Sequence, residues 1–408
     1  MIAQLEEMRR TQAEQADLMA PELYAVARPL DVLAALRDHH EIFWHDMPPG
    51  NPYGHRGYWS VLKHRDVVSI SRDALTFSSE RQGPLFFDKM PEQEGALISI
   101  DPPKHKRLRS FVNPSFLPAQ IRELEAYARE IIGAQLSAAI DRGHAEFVYD
   151  VAAHLPTRIF CRMMNVPEKE AQKLIAWVDE ISHNITNPGP HLAGVFQSIS
   201  AYGNLLAESR SGHTGNDVVA AMMRAEHEDG PLSRTEFGNL FMTIATGASE
   251  TMRSVLSNSV LTFCERPDLL DDIRLHPDIV DTAAEELLRI TTPINFFRRT
   301  VTQDTDFRGR LFRENDVVVI WYLSANFDPD AFDAPDEIDL RRDPNRQIAF
   351  GVGEHFCLGA RLAHMQTRIF LEEFSRRVRR VELDGTPTRV AQPLFNVMGS
   401  LPVRFVPM

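Results

Sequence analysis

The feature that most limits what this chain can become is a stretch at 234–265 where apolar residues recur at a spacing near 3.6. As one helix, at about 1.5 Å per residue, it would run for nearly 50 Å, enough to cross the whole protein. Helical spacing also covers 119–141, 275–290 and 358–379. Strand signals are shorter. Gly57 to Lys63 alternates and is rich in aromatics, and Val317 to Leu323 reads as a buried strand. Phe307 to Asn315 carries a glycine-bearing turn, and 395–406 reads as a late hairpin. Proline and glycine cluster at 47–54, 101–103, 187–191 and 328–344, and none of these is a long flexible linker. The expectation is a single domain over 1–408, mainly α with a smaller β portion drawn from both ends. Residues 1–40 form an N-terminal extension to it.

Bulk numbers narrow the partners. Hydrophobic residues make up 43% of the 408, so a large core can be buried. The formal charge of −13 argues against nucleic acid, because phosphate contacts need a basic face. The N-terminus, MIAQLEEMRRTQAEQADLM, is polar and does not read as a signal peptide. No stretch approaches the roughly 18 apolar residues of a membrane span. A cytoplasmic monomer is expected, with no membrane association.

There are three cysteines, Cys161, Cys264 and Cys357, widely spaced and with no CxxC pair. That excludes a disulfide framework and a structural zinc site. Cys161 and Cys264 sit in apolar helical patterns and read as small buried residues. Cys357 differs. It follows a glycine-rich turn, Phe350-Gly351-Val352-Gly353-Glu354-His355-Phe356, and precedes Leu358-Gly359 and a helix. Backbone N–H groups and a positive helix end there would stabilise a thiolate. Gly353 and Gly359 remove side chains where a flat ligand must approach the backbone. A lone cysteine without further ligands nearby suits an axial haem ligand better than zinc or an iron–sulfur cluster.

The spacing of Phe350, Gly351, Gly353, His355, Cys357 and Gly359 resembles the haem-binding loop of the cytochrome P450 family. The resemblance extends from about residue 40 to 406. It implies a triangular, mainly α fold, haem b (iron protoporphyrin IX) held by the Cys357 thiolate, and dioxygen activation on the opposite haem face. Phe350, Gly359 and Ala248 would then border the cofactor. Glu286 and Arg289, an ExxR pair on one helix face, are similar to the family's buried structural ion pair. The basic segment Asp101-Pro102-Pro103-Lys104-His105-Lys106-Arg107-Leu108-Arg109 is similar to its propionate-binding helix. His105 and Arg109 would meet a propionate, joined by Arg299 (in preference to Arg298) and His355. Lys104, Lys106 and Arg107 would steer an acidic ferredoxin-type donor, fed indirectly by NAD(P)H.

On the oxygen side, Ala245-Thr246-Gly247-Ala248-Ser249-Glu250-Thr251 resembles the family's acid–alcohol motif, with Ala248 where glycine is usual. Cleaving dioxygen needs two protons, so Thr251 would offer a hydroxyl hydrogen bond and Glu250 would relay protons. Apolar candidates for the substrate wall are Leu85, Phe86, Phe87, Phe241, Ile244, Ala245, Ala248, Ile294, Phe296, Phe297, Phe395 and Val397. Their character suggests a small lipophilic substrate. The stretch from Gly57 to Ser79 weakly resembles bacterial relatives acting on terpenoids, steroids and branched lipids. The expected activity is monooxygenation. The alternatives are a peroxide-driven haem-thiolate oxidase and a non-catalytic haem sensor or carrier.

Overall fold

Ser233 starts the long helix. Its hydroxyl accepts the N–H of Glu236 (3.2 Å), while the Glu236 carboxylate accepts the N–H of Ser233 (2.9 Å). This reciprocal cap satisfies two otherwise orphaned donors. The helix then runs Arg234–Glu265, as the periodicity predicts. Leu240, Leu256, Val260 and Phe263 on it are fully buried. Helices His154–Met163, Ala171–Asn184, Pro190–Ser209, Val280–Thr291 and Ala360–Arg377 pack around it. The computed structural model describes residues 6–51, 53–91, 93, 95–186, 189–210 and 218–408, with backbone alone at 2–5 and 92. Of the proline–glycine cluster at 187–191, Asn187 and Pro188 lie outside them. One buried apolar cluster reaches from Ala13 to Phe405.

The β portion is a five-stranded sheet in the spatial order Ile42–Asp46, Gly57–Val61, Val317–Trp321, Phe296–Val301, Phe77–Ser78. Its second and third strands pair in parallel and the other pairs are antiparallel. Buried Ser60 accepts the indole N–H of Trp321 (2.9 Å), which ties those two strands together below the pleat. The glycine-bearing turn is a hairpin of Thr305–Phe307 and Arg310–Phe312, with Gly309 at φ +71.

Three expectations need correction. The 275–290 helix is broken: one helix ends at Leu275, a short turn spans Pro277–Ile279, and Val280–Thr291 begins a new helix. Pro277 has no N–H to continue the first helix, which explains the break. The 317–323 strand stops at Trp321, because Tyr322–Ala325 turns helical. The late hairpin is not one. Met398–Ser400 pairs with Thr388–Arg389, whereas Pro402–Pro407 lies between His144–Glu146 and Val378–Leu383. Strand partners are chosen by long-range packing, which local alternation does not encode.

Glu286 and Arg289 are both fully buried. Arg289 Nε and Nη2 donate to the two Glu286 oxygens, each at 2.8 Å. The remaining donors of Arg289 reach the carbonyls of Asn326 (2.8 Å), Pro335 (2.8 Å) and Glu337 (3.1 Å). Glu286 also accepts from the N–H of Asp339 (3.0 Å), from Arg342 (3.1 Å) and from Asn345 (3.0 Å). The pair therefore pins the proline-rich segment 326–345. Burial pushes the Glu286 carboxyl up, but Arg289, the Asp339 N–H and Arg342 outweigh it and hold it below the usual carboxylate range. Replacing Arg289 by Ala leaves a buried, half-partnered carboxylate and is expected to cost about 3–5 kcal/mol. Urea unfolding of the variant measures this; a loss under about 1 kcal/mol would mean the pair is not a clamp.

Candidate active site

The cysteine loop is built by backbone geometry. Gly351 (φ +66) and Gly353 (φ +77) sit where side-chain-bearing residues are strained. A Cβ on Gly353 would also lie 2.5 Å from the Ser71 carbonyl oxygen. So Gly353 serves the approach of the Ser71–Arg72 backbone, and not that of a flat ligand as expected from sequence. The N–H of Cys357 donates to the Phe350 carbonyl (2.9 Å), and that of Phe356 to Gly353 (3.0 Å). The helix begins at Ala360, three residues beyond Cys357, with Gly359 at its cap. Burial raises the Cys357 thiol above its ordinary pKa, opposed by the Gly359 N–H and by Arg109. Cys161 and Cys264 are pushed up to about 12 by burial and stay inert thiols.

Cys357 opens onto a cavity. Phe350, Leu358 and Gly359 border it on the cysteine side, and Ile244, Gly247, Ala248 and Thr251 face them from the long helix. One end is cationic. His105 is buried with neither ring nitrogen hydrogen-bonded, and the Nε2 of His355 is likewise unpartnered, among the described residues. Their ring centroids lie 4.5 Å apart. Burial, then Arg109, pushes His105 down to about 4. Burial, then Arg299, His105 and Arg109, holds His355 far below its ordinary value. Arg299 and Arg298 alternate across their strand, as neighbours on a strand must. Arg298 points away, donating to the Phe86 carbonyl (3.0 Å) and to Asp88 (3.0 Å). Arg299 stays beside His355 and Tyr322.

Buried donors without acceptors are costly, and two arginines beside them raise that cost. A dianion at this end would relieve it, and the lone thiol opposite the long helix would take a borderline metal. The residues present therefore fit haem. Tyr322 lines the same end, its phenol pushed up by burial and steadied by Arg299. Sequence reading missed it because it follows the strand at a point where the chain changes direction.

Thr251 donates its hydroxyl to the Gly247 carbonyl one turn back (2.7 Å). Glu250 is 2% exposed. Its Oε2 accepts from the Ser182 hydroxyl (2.6 Å) and pairs with Arg253, which also pairs with Asp179. Glu250 Oε1 has no hydrogen-bond partner among the described residues. Glu250 lines the cavity, and its carboxylate is anchored by one oxygen. Arg253 was legible at i+3 from Glu250, but Ser182 and Asp179, on another helix, were not. Gln366, two turns beyond Cys357, also lines the cavity with a buried, unpartnered Oε1.

Of the expected wall residues, Leu85, Ile244, Ala248, Ile294, Phe297 and Phe395 line the cavity. A bridge pairing Ile294 with Phe395 sets two of them side by side. Phe86, Phe87, Phe241, Ala245, Phe296 and Val397 do not line it. Phe86 packs on Tyr53 (4.6 Å) and Tyr58 (5.1 Å), and Phe296 on Trp321 (4.8 Å). Phe241 faces Phe160 (5.2 Å), and Phe87, Ala245 and Val397 are buried core. The basic patch also changes. Arg107 turns inward to Glu236 (2.6 Å) and the Pro231 carbonyl (3.0 Å), leaving Lys104 and Lys106 at the surface.

The cytochrome P450 family model matches residues 276–395. Linalool 8-monooxygenase of Pseudomonas putida is 31% identical, over 97% of this chain and 100% of that one. A steroid C26-monooxygenase of Mycolicibacterium smegmatis is 30% identical, over 90% of this chain and 88% of that one. A Mycobacterium marinum cytochrome P450 solved with pseudoionone superposes with a TM-score of 0.88 at 28% identity, covering 96% and 98% of the two chains. The chain belongs to the cytochrome P450 family. It is a bacterial-type monooxygenase using haem iron and dioxygen. Among the described residues, no helix is long and apolar enough to cross a membrane.

His105 gives a pH prediction. The unfolded chain takes up its proton near 6.5 and the folded one near 4. Stability present above pH 6.5 is therefore lost as the pH falls toward 4, by up to about 3 kcal/mol in the haem-free protein. Melting curves across that window should show the decline, and His105→Asn should make it shallower, the remainder coming from His45, His55 and His355, which burial also lowers.

Proposed function

We propose that Cys357 supplies the thiolate ligand to the iron and that the cavity between it and the long helix takes a small lipophilic substrate for oxygen insertion. The observation that carries this is the pairing, in one cavity, of the half-buried Cys357 thiol with an end of unpartnered ring nitrogens on His105 and His355, beside Arg109 and Arg299. Those four residues would hold the two propionates. When bound, haem supplies dioxygen binding and its two-electron activation, with the thiolate donating electron density.

The protein's own part is proton supply and exclusion of water. Thr251 presents a hydroxyl at the cavity wall, where it can exchange the Gly247 carbonyl for an acceptor in the cavity and hold a proton there. Glu250 lines the same space, its carboxylate held by Ser182 and Arg253. Asp179, a quarter exposed, extends the network toward solvent. Leu85, Ile244, Ile294, Phe297 and Phe395 would hold the substrate by apolar contact. The relatives' names, on linalool, steroids and methyl-branched lipids, support a terpenoid-, steroid- or lipid-like compound.

Electrons would come from a ferredoxin-type protein, itself reduced from NAD(P)H. Lys104 and exposed Lys106 lie two residues apart on one helix, and Lys106 pairs with Glu354 (3.2 Å), two residues before Phe356, an exposed aromatic next to Cys357. They offer an acidic donor a mixed cationic and apolar landing, without Arg107. A single-domain monomer working in the cytoplasm is carried over from the sequence as part of this reading.

Two substitutions test the chemistry together. Cys357→Ser should abolish the strongly red-shifted Soret band of the reduced, carbon-monoxide-bound protein; a retained band refutes the ligand assignment. Thr251→Ala should keep that band while releasing about 10-fold or more peroxide per product formed, consistent with the usual reach of a positioned proton donor. Unaltered coupling would move proton delivery to another group. For the donor, reduction by an acidic ferredoxin should slow as salt rises. Lys106→Glu should remove most of that salt dependence, and a salt-independent rate would argue against this face.

A further inference from the structure

The strand Phe296–Val301 serves two sides of the molecule. Phe297 borders the cysteine cavity, and Arg299 stays beside His355. Phe296 and Arg298 alternate to the opposite face. There they meet the segment 82–89, and Phe86 packs on Phe296 (6.3 Å between ring centroids). That segment contains neither helix nor strand. Its ends close on each other, since the N–H of Lys89 donates to the Gln82 carbonyl (2.7 Å). A loop without a hydrogen-bond ladder must find other donors for its buried carbonyls. Here one residue supplies two of them.

Arg298 is fully buried. Its backbone N–H donates to the Pro84 carbonyl (2.8 Å), and its Nη1 donates to the Phe86 carbonyl (3.0 Å). Nη2 donates to Asp88 (3.0 Å) and to the Gln82 side chain, which also accepts the Thr300 hydroxyl (3.3 Å). Pro84 and Phe86 flank Leu85, and Leu85 is part of the cavity wall. The carbonyls on both sides of one wall residue are therefore held by a single arginine. Arg298 does not itself border the cavity. Asp88 is largely exposed and also lies 3.6 Å from His55 Nε2, so its charge is shared and screened. The planar fork of donors is the specific part, and a lysine ammonium at the same place cannot reproduce it.

From this juxtaposition, we propose that Arg298 is a positioning residue for substrate selection: through Pro84 and Phe86 it fixes Leu85 in the cavity wall, and so sets how closely that wall fits an apolar molecule. Adjacent residues of one strand then hold the two things that must agree. Arg299 stands at the cationic end of the cavity, and Arg298 holds the loop that walls it. This deepens the oxygenase reading and rests on it, because the wall is the one assigned to the substrate.

The test titrates the haem-loaded protein with imidazole and with 4-phenylimidazole, followed by the shift of the haem band. Both offer the iron a nitrogen, but only the second carries a ring that must fit the wall. Arg298→Lys should weaken 4-phenylimidazole about tenfold, the worth of part of a leucine's apolar contact, and leave imidazole unchanged. Gln82→Met and Asp88→Ala each remove one acceptor and leave Arg298 in place, so each should cost about threefold and serve if the lysine variant fails to load haem. Leu85→Ala should show the same selective loss, and adding Arg298→Lys to it should cost nothing more, because the arginine acts through that side chain. Hydrogen exchange across 82–89 in the purified protein should quicken at least tenfold in Arg298→Lys. An unchanged preference for 4-phenylimidazole overturns the proposal, even where stability falls, since it leaves the arginine a structural clamp. Equal weakening of both ligands also overturns it, by moving the effect to the haem end. These outcomes leave the oxygenase reading standing, whereas absence of the red-shifted carbon-monoxide band from the unaltered protein would remove the reading itself.

Discussion

The buried Glu286–Arg289 pair is the interaction on which the cysteine loop depends. Its donors and acceptors do not stop at each other. Arg289 reaches the Asn326 carbonyl, and the Asn326 side chain accepts the N–H of Ile348 (2.8 Å). Ile348 then accepts the Gly351 N–H (2.9 Å), and Phe350 accepts the Cys357 N–H (2.9 Å). A chain of hydrogen bonds therefore runs from the helix Val280–Thr291 to Cys357. Desolvating two charges is expensive, and here each leftover lone pair and proton is answered by backbone or side chain. That cost is tolerable because the pair orders a proline-rich segment that has little regular structure of its own.

The long helix divides the molecule's chemistry. Its far half is buried from Met252 to Val260 and holds the fold together. Its near half faces the cavity with small residues, Gly247 and Ala248, and a Cβ on Gly247 would meet nothing within 4 Å. Polar groups are tolerated there because each is tied within the protein or aimed at a function. Thr251 is tied to its own helix, and Glu250 to Ser182 and Arg253. The acid–alcohol pair is thus less a pair than the inner end of a network crossing to the neighbouring helix.

Charge is distributed with the same economy. A chain of net charge −13 sets two cations, Arg109 and Arg299, beside the neutral imidazoles of His105 and His355 at one end of one cavity. Such a concentration destabilises a protein that lacks the anion to meet it. In the proposed reading, cofactor binding and folding are coupled, since the propionates would bring the missing partners.

Local pattern alone made several things legible. The long helix, the cysteine loop and the ExxR pair all declare themselves in short, contiguous spacing. That is because helix period, glycine backbone freedom and i,i+3 contact are properties of neighbouring residues. Strand alternation likewise sends Arg298 and Arg299 to opposite faces, Arg299 toward His355 and Arg298 toward Phe86 and Asp88. Tertiary structure decided the rest. Phe241, Phe86 and Phe87 are as apolar as Ile244 and Phe297, and only packing separates core from cavity wall. Arg107 stands in a basic run, yet the start of the long helix captures it. The strands after residue 395 find partners far away in sequence. Ser182, Arg253 and Asp179 join Glu250 only because two helices meet. Composition set the kinds of chemistry available, and three-dimensional packing assigned each side chain to the core, the surface or the site.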